Sequence, residues 1–289
     1  MTGIPLGAAA LGAVALALAA CATAAPDPAS DYLAGHVAAA RAGRPFVPAT
    51  EAAAGMDMDQ AYALQRRLVA AQVARGDRVA GFKGGLMSKK SLADRGVTEP
   101  LIGALLASGE SHGEVSLCGY RAGIFELKLG YIFDAPVTRR LTSVAELKSR
   151  VRAVQPVVEL PDIAYRDPAR YGALDMVAAN ITAARYVRGV AAAPDALDLD
   201  ALQVRLTRDG QAVAQGYGRE SLGGQWESLL TLVNLIVERG GAIRSGQFVI
   251  TGKIGDKGDI TPGAYAADYG SLGVVSFSVR PCANPGSFR

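Results

Sequence analysis

The stretch GIFELKLGYIFD, residues 123–134, decides the fold. Successive side chains of a β-strand point to opposite faces of its sheet. The alternation therefore places an apolar series from Phe125 to Phe133 on one face, while Ile124, Glu126 and Lys128 share the other. This pattern predicts a strand with one face in a core, inside a strand-rich segment that extends over residues 115–134.

A second carboxylate interrupts another apolar run, PVVELP at residues 156–161, where Glu159 stands near a predicted strand end. Burial of a carboxylate is costly unless it is paired, hydrogen-bonded or bound to a metal. Glu126 and Glu159 are therefore a candidate divalent-cation site. Two alternatives stay open: Glu126 pairs with Lys128 on a solvated strand face, and backbone N–H groups hold Glu159.

The remaining pattern mixes strands with separated helices, which is typical of the α+β class. Asp209-Gly210 predicts a tight hairpin turn. Helices are predicted from a cap at Ser30 to Ala40, over 59–75, and over the apolar segment 226–239, whereas strands are predicted at 176–187 and 202–208.

Length and charge limit the function classes. The 289 residues allow one large domain, with or without a helical annex. The formal net charge is only +3 and there is no run of Lys or Arg, so nucleic acid is not expected as a partner. His36 and His112 do not have zinc-ligand spacing, and no Gly-x-Ser-x-Gly elbow is present, which disfavours zinc and serine hydrolases.

The N-terminal segment resembles a lipoprotein signal peptide. Residues 1–20 contain no charged side chain and end in Leu-Ala-Ala before Cys21. We expect a signal peptide over 1–20, a lipidated Cys21 and a tether over 21–30. Ala22 favours the outer membrane, so the protein would be anchored at the periplasmic face of a bacterial membrane. No basic residue precedes the apolar run, so a mis-assigned start or a buried N-terminal helix stays an alternative.

Cys118 and Cys282 would then be the cysteines left in an exported chain. Thiols in an oxidising compartment tend to pair, which predicts a disulfide bond between them. Two buried free thiols are the alternative, because sequence alone does not show whether the two Cα atoms come within reach.

An ordered series of short segments carries a family resemblance. The chain resembles the 2-keto-4-pentenoate hydratase group of the fumarylacetoacetate hydrolase superfamily from about Asp31 to Val279. The segments are AYALQ at 61–65, VAGFKGGL at 79–86, GALL at 103–106, Glu126, VE at 158–159, Asn180, SLG at 221–223 and ITG at 250–252.

The resemblance implies a rolled, mixed β-sandwich with peripheral helices and a helical N-terminal annex. We expect the annex at 31–78, a hydratase-like domain at 79–282 and a tail at 283–289. Homo-oligomers are common in this family, and one is expected here.

The resemblance also implies a site. The family commonly holds its metal with Glu-x-Glu and a later carboxylate, so Glu126 and Glu159 would bind Mg²⁺ or Mn²⁺, whereas Ile124 replaces the first Glu. The catalytic candidates are Lys83, Thr251 and Lys253. The substrate-binding candidates are Asn180, Gly252 and Leu101, the last standing where the family tends to carry a loop acid.

These features lead to two functional hypotheses. The first is an exported lyase or hydratase acting on a small 2-keto or 2-hydroxydienoic acid, with altered or weakened metal use; decarboxylation and C–C hydrolysis are related reactions of the same site. The second is a catalytically inactive periplasmic binding or structural lipoprotein on the same fold. Ile124, Leu101 and the export signal favour the second hypothesis.

Overall fold

A computed structural model describes residues 1, 3, 28–167, 170–194 and 197–283. The predicted lipidation site Cys21, nearly all of the predicted signal peptide and residues 284–289 of the predicted tail lie outside the described residues. Within the described part, no helix is both long enough and apolar enough to cross a bilayer. The α-helices are α1 (Pro28–Arg41), α2 (Ala49–Ala52), α3 (Met58–Val73), α4 (Lys89–Asp94), α5 (Val144–Lys148), α6 (Ala173–Ala178) and α7 (Gln225–Glu238).

Two mixed sheets make up the β-structure. The strands are β1 (Val79–Gly85), β2 (Leu101–Leu106), β3 (Glu114–Ser116), β4 (Ile124–Phe133), β5 (Val151–Leu160), β6 (Arg185–Arg188), β7 (Gln203–Arg208), β8 (Gln211–Tyr217), β9 (Phe248–Ile250), β10 (Ile254–Asp259), β11 (Gly263–Asp268) and β12 (Val274–Arg280). The larger sheet has the order β2-β1-β9-β4-β5-β6, with β10 also paired to β4, and the smaller has the order β3-β12-β11-β7-β8. The pairs β1/β9 and β3/β12 are parallel and the others antiparallel.

Strand β4 is central to the larger sheet, with neighbours β5, β9 and β10. Its apolar face is buried as predicted, from Phe125 through Leu127, Leu129 and Tyr131 to Phe133. These side chains belong to one core cluster that also takes residues from α7 and from the smaller sheet. Because that core fixes β4, it also fixes the position of Glu126 and Lys128 on the other face.

The two sheets meet where β10 approaches β8. Gly255 has a φ of +66°, and a Cβ atom there would lie 1.9 Å from the carbonyl oxygen of Gln215. A side chain at Gly216 would in turn meet the Cα atom of Gly255 at 2.3 Å. Glycine is therefore required at this joint, since only a bare backbone allows such close approach.

The predicted hairpin at Asp209-Gly210 is confirmed, with φ values of +50° and +79° between β7 and β8. Positive φ at both central residues is the geometry that suits the right-handed twist of paired strands. The predicted helix at 226–239 is likewise present as α7.

Two boundaries differ from prediction. The segment 176–187 is a strand only from Arg185, because α6 and a 3₁₀ turn at Asn180–Thr182 occupy its first part. The residues form a buried helical corner, which an apolar pattern this short does not distinguish from a buried strand. Helix α1 begins at Pro28, inside the predicted tether; proline suits a first turn, where N–H groups lack helical partners.

The N-terminal helices pack directly onto the β-domain. The Gln65 side chain of α3 donates hydrogen bonds to the carbonyls of Ile102 and Val177, at 2.8 and 3.0 Å. The Tyr62 hydroxyl accepts from the Ile102 N–H at 3.0 Å. These contacts fix α3 against β2.

Cys118 follows β3 and Cys282 follows β12, at the same end of this parallel pair, with their Sγ atoms in contact and their Cα atoms 4.6 Å apart. This is disulfide geometry. A disulfide bond between them would close a loop of sequence separation 164 and would tie the segment before β4 to the end of β12.

Candidate functional site

The two predicted carboxylates are brought together by strand register. Glu126 on β4 stands directly opposite Glu159 on β5. Directly opposed residues of an antiparallel pair have Cβ atoms about 5 Å apart, and two like charges there repel each other. The pair therefore needs a compensating positive charge.

Lys128 supplies part of that charge. Its ammonium lies 2.8 Å from one Glu126 oxygen and 3.3 Å from a Glu159 oxygen, so it bridges the two carboxylates. Both Lys128 and Glu159 are buried, and 18% of the Glu126 side chain is exposed. The predicted pairing of Glu126 with Lys128 is thus present, but in a buried cluster instead of on a solvated face.

Lys83 supplies the remaining positive charge. Its ammonium forms an ion pair with the other Glu159 oxygen and donates a hydrogen bond to the Ile181 carbonyl at 3.0 Å. Among the described residues, no backbone N–H donates a hydrogen bond to either Glu159 oxygen. The ion pairs with Lys83 and Lys128, and not backbone N–H groups, therefore compensate the burial of Glu159.

Strand geometry also makes room for Lys83. Lys83 on β1 stands opposite Gly103 on β2, and a Cβ atom at Gly103 would lie 2.9 Å from the Lys83 side chain. Glycine at 103 therefore leaves the space through which the lysine stem reaches the cluster.

The cluster shifts the protonation equilibria of its members. Burial raises the pKa of Glu126, but the Lys128 and Lys83 ammonium groups outweigh this and hold that pKa below its usual value. Burial lowers the pKa of Lys128, and the Glu126 and Glu159 carboxylates outweigh it, so that pKa lies above its usual value. Both shifts favour the charged pair at neutral pH.

A cavity of about 520 Å³ opens above the cluster and is lined by Lys83, Glu126 and Lys128. Its wall includes α4 and the segment at Ile181 and Thr182. The six basic side chains of the lining outnumber three acidic ones; the basic set is Lys83, Lys90, Arg95, Lys128, Lys253 and Lys257, and the acidic set is Asp94, Glu126 and Glu220. A cavity with this balance suits a small anionic ligand.

Two further predicted residues belong to this cavity. Gly252 and Lys253 line it, and the Lys253 ammonium donates to the Gly255 carbonyl at 2.5 Å. Lys257, which stands opposite Glu126 on β10, also lines it. The sequence indicated the basic character of residues 251–259, but the register that places Lys257 beside Glu126 depends on a β-bulge between 254 and 257.

Thr251, Asn180 and Leu101 make contacts inside the fold, and their catalytic and substrate-binding roles stay predictions. The Thr251 hydroxyl is buried and donates to the Gln225 side chain at 2.8 Å. The Asn180 side chain accepts from the Ala104 N–H at 2.7 Å and donates to the Ala104 carbonyl at 2.9 Å, so its polar atoms are engaged. Leu101 is buried in the core, and none of the three lines the cavity.

A strained segment that the sequence did not indicate forms part of the wall. Asn180, Ile181 and Thr182 have φ values of +54°, +47° and +51°. Left-handed backbone is costly for residues with a Cβ atom, above all for a β-branched one, and persists only where surrounding contacts impose it. Here the amide clamp of Asn180 and the bond from Lys83 to the Ile181 carbonyl hold the segment.

The donor set does not suit a divalent cation in this arrangement. Among the residues that the structure describes, no three His, Cys, Asp or Glu side chains group as a metal site. The ammonium of Lys128 lies between the two carboxylates that would bind the ion. Repulsion between charges of +2 and +1 at about 4 Å is about 8 kcal/mol at an effective dielectric constant of about 20.

Curated relatives match most of the chain. The chain is 30% identical over 225 residues to 4-oxalocrotonate decarboxylase of Pseudomonas putida, a match that covers 76% of this chain and 85% of that enzyme. It is also 30% identical over 243 residues to 2-keto-4-pentenoate hydratase of Burkholderia vietnamiensis, covering 81% and 90%.

The chain belongs to the family of 4-oxalocrotonate decarboxylases and 2-keto-4-pentenoate hydratases. No protein-family model matches it. Among solved structures, 4-oxalocrotonate decarboxylase of P. putida G7, complexed with magnesium and adipate, superposes with a TM-score of 0.81 at 27% identity, covering 88% of this chain and 97% of that one. The same enzyme is also known complexed with calcium and acetate.

The predicted fold class is confirmed by these neighbours. A fumarylacetoacetate hydrolase family protein of Yersinia pestis CO92 has the same fold at a TM-score of 0.53 and 14% identity. The mixed sheets with outer helices are therefore the α+β architecture of the decarboxylase and hydratase family. In this chain a lysine ammonium lies between the two site carboxylates.

Proposed function

We propose that this protein is a lyase of the hydratase or decarboxylase type, acting on a small 2-keto or 2-hydroxydienoic acid. The observation that supports it best is the pair of buried ammonium groups, Lys83 and Lys128, at the base of a cavity lined mainly by basic side chains. Family membership supplies the reaction class, since relatives in it are 2-keto-4-pentenoate hydratases and 4-oxalocrotonate decarboxylases.

The charges suit this chemistry. Hydration of a conjugated dienoic acid and decarboxylation of an unsaturated 2-keto acid both develop negative charge on the 2-oxygen. Fixed positive charge beside that oxygen stabilises the enolate, because it acts where charge develops and needs no reorganisation. Lys83, which lines the cavity, is the residue we assign to the substrate carboxylate or to proton transfer.

We assign a divalent cation only a weakened role. A solved relative is complexed with magnesium, and Glu126 and Glu159 are the residues here that Mg²⁺ or Mn²⁺ would use. Both carboxylates are already engaged by ammonium groups, which opposes binding of a second cation.

Turnover assays test the proposal. Protein truncated before Pro28, the start of α1, is incubated with 2-hydroxypenta-2,4-dienoate and with 4-oxalocrotonate, with Mg²⁺ or with EDTA, and loss of the conjugated substrate is followed by absorbance. We expect turnover of at least one compound. The turnover rate should fall 100-fold or more in Lys83→Met. It should not fall in Lys89→Met, a matched lysine that lies outside the cavity lining. Absence of turnover under every condition refutes the lyase assignment.

A second candidate is a binding protein without catalysis. Ile124 and Leu101, which stand where the resemblance implies acids, favour it. Calorimetry with 2-oxopentanoate distinguishes the two: saturable binding together with no turnover of either lyase substrate supports the binding protein.

We also propose that the chain is exported and anchored by a lipid on Cys21. The uncharged run that ends at Cys21 and the disulfide geometry of Cys118 and Cys282 support this proposal. Expression of the full chain in a Gram-negative host tests it. We expect the protein in the membrane fraction with incorporated palmitate, and Cys21→Ala without the label; an unlabelled wild-type chain in the cytosolic fraction contradicts the proposal.

A further inference from the structure

We propose that the Lys128 ammonium is a built-in cation that takes the place of a divalent metal at this site. Together with Lys83 it offsets the charges of Glu126 and Glu159, and it presents an N–H face to the carboxylate or keto oxygen of a 2-keto acid. The identity of that acid rests on the proposed function; the exclusion of metal does not.

The first step is the position of the ammonium. It lies 2.8 Å from Glu126 and 3.3 Å from Glu159, which stand in direct register on neighbouring strands. A divalent ion shared by these carboxylates would need the same oxygens and the same space. Since Glu159 is fully buried, its oxygens have no second approach from solvent.

The second step is that Lys128 is held in place. Its backbone N–H donates to the Tyr269 hydroxyl at 3.2 Å, and that hydroxyl donates to the Val157 carbonyl at 2.7 Å. Val157 is the residue directly opposite Lys128 on β5. Tyr269, fully buried, reaches from the smaller sheet and clamps β4 to β5 at the lysine, so the ammonium belongs to a fixed part of the sandwich.

The third step is access to a ligand. Lys128 and Lys83 both line the cavity, whereas Glu159 lies behind them and is not part of the lining. A small anion entering the cavity therefore meets two ammonium groups at its base. Lys128, and not Lys83, lies between the two carboxylates, so its ammonium is the charge placed where a metal would otherwise polarise the ligand.

Metal binding to three proteins tests the exclusion of metal. Mn²⁺ binding, measured by electron paramagnetic resonance and calorimetry, is compared for wild type, Lys128→Met and Lys257→Met. We expect no saturable binding by wild type below 1 mM, as an order of magnitude for a site with two engaged carboxylates. Lys128→Met should bind at least tenfold more tightly than wild type. Lys257→Met removes one charge from the same cavity but leaves Lys128 between the carboxylates, so its gain in affinity should be smaller than that of Lys128→Met.

Binding of a keto acid tests whether Lys128 takes the place of the metal. In EDTA, wild type should bind 2-oxopentanoate, and Lys128→Met should bind it at least tenfold more weakly and recover with Mn²⁺. If Lys128→Met folds poorly, Mn²⁺ should raise its melting temperature and should leave that of wild type unchanged. Lys128→Arg keeps the positive charge, so this variant should fold and still exclude Mn²⁺.

Several results overturn the inference: micromolar Mn²⁺ binding by wild type, an unchanged metal affinity in Lys128→Met, or metal-free keto-acid binding that does not depend on Lys128. The outcomes separate this inference from the proposed function. A Lys128→Met protein that gains Mn²⁺ while wild type turns over neither lyase substrate supports metal exclusion and refutes only the lyase assignment.

Discussion

Single residues carry the electrostatics of this site. Lys83, Lys128, Glu126 and Glu159 form a charge-balanced cluster in which three of the four side chains are almost fully buried. Such a cluster is a weak source of net stability, because desolvation offsets attraction, but removal of one partner leaves an uncompensated charge. The members therefore depend on one another more than on the rest of the core.

Substitution of Lys83 tests that dependence. Lys83→Met leaves Glu159 with one ammonium partner, and we expect the free energy of unfolding to fall by about 3–5 kcal/mol. Urea denaturation measures it. The matched control is the double variant Lys83→Met/Glu159→Gln, which removes both charges and should recover most of the loss; equal losses in the single and double variants contradict this account.

The buried side chain of His36 makes the stability of the fold depend on pH. Its ring stacks on Phe46 with centroids 4.1 Å apart, and burial, then the charge of Arg121, lowers its pKa to about 4. The unfolded chain has the ordinary value of about 6.5 and so binds the proton first as pH falls. Stability from neutral His36 is full above about pH 6.5 and is lost towards pH 4, by up to about 3 kcal/mol.

Unfolding of His36→Phe between pH 7 and pH 4 checks this prediction. The variant keeps a ring on Phe46 and should lose stability less steeply than wild type over this interval. His112→Gln, at an exposed position, should follow wild type. Parallel curves for wild type and His36→Phe exclude the histidine as the cause.

At the scale of elements, the left-handed segment at 180–182 connects α6 to β6 and shapes the cavity wall. Three consecutive residues with positive φ are strained, and the contacts that hold them come from β1 and β2. Strain of this kind concentrates where a backbone must take a particular path beside a ligand. The Asn180 amide is therefore a positioning group for the wall.

Asn180→Ala removes both hydrogen bonds to Ala104. We expect a loss of about 1–3 kcal/mol in the free energy of unfolding, because a buried backbone N–H and a carbonyl lose their partners. Affinity for 2-oxopentanoate should fall with it, since Ile181 and Thr182 line the cavity. Unchanged stability and affinity in Asn180→Ala contradict the clamp.

The close approach of β8 and β10 leaves no space for a side chain at Gly255, so a substitution there should destabilise the fold. Gly255→Ala places a Cβ atom against the Gln215 carbonyl in a backbone of positive φ, and we expect a loss of at least about 2 kcal/mol in the free energy of unfolding. Gly76→Ala is the matched control, because Gly76 also has positive φ but has nothing within 4 Å of its added Cβ. Equal effects of the two substitutions assign the cost to backbone conformation alone.

At the scale of the whole molecule, Cys118, which precedes β4, lies beside Cys282, which follows the last strand, β12. A disulfide restricts the unfolded chain, and for a long loop the stabilisation is about 2–4 kcal/mol. Non-reducing mass spectrometry of exported protein should find the cross-linked peptides, and reduction should lower the melting temperature. Two free thiols in that protein contradict the prediction, and Cys118→Ser/Cys282→Ser provides the reduced reference.

Much of the architecture depends on local patterns. The alternation along β4, the Asp209-Gly210 turn and the apolar α7 are properties of neighbouring residues, because strand and helix periods repeat within a few residues. The order of short segments likewise indicated the family. Glu126 and Glu159 were identified as a pair for the same reason, since each interrupts an apolar strand.

Only the tertiary structure decided what compensates those carboxylates. Lys83 and Glu159 are far apart in the chain and meet only because β1, β9, β4 and β5 adjoin in one sheet. Lys128 bridges the glutamates because the β4/β5 register aligns them, and a shift of one residue would point each to another face. The sequence by itself thus determined the strands, through their alternation, and the family, through the order of short segments. The register of distant strands determined that a lysine lies where a cation would bind.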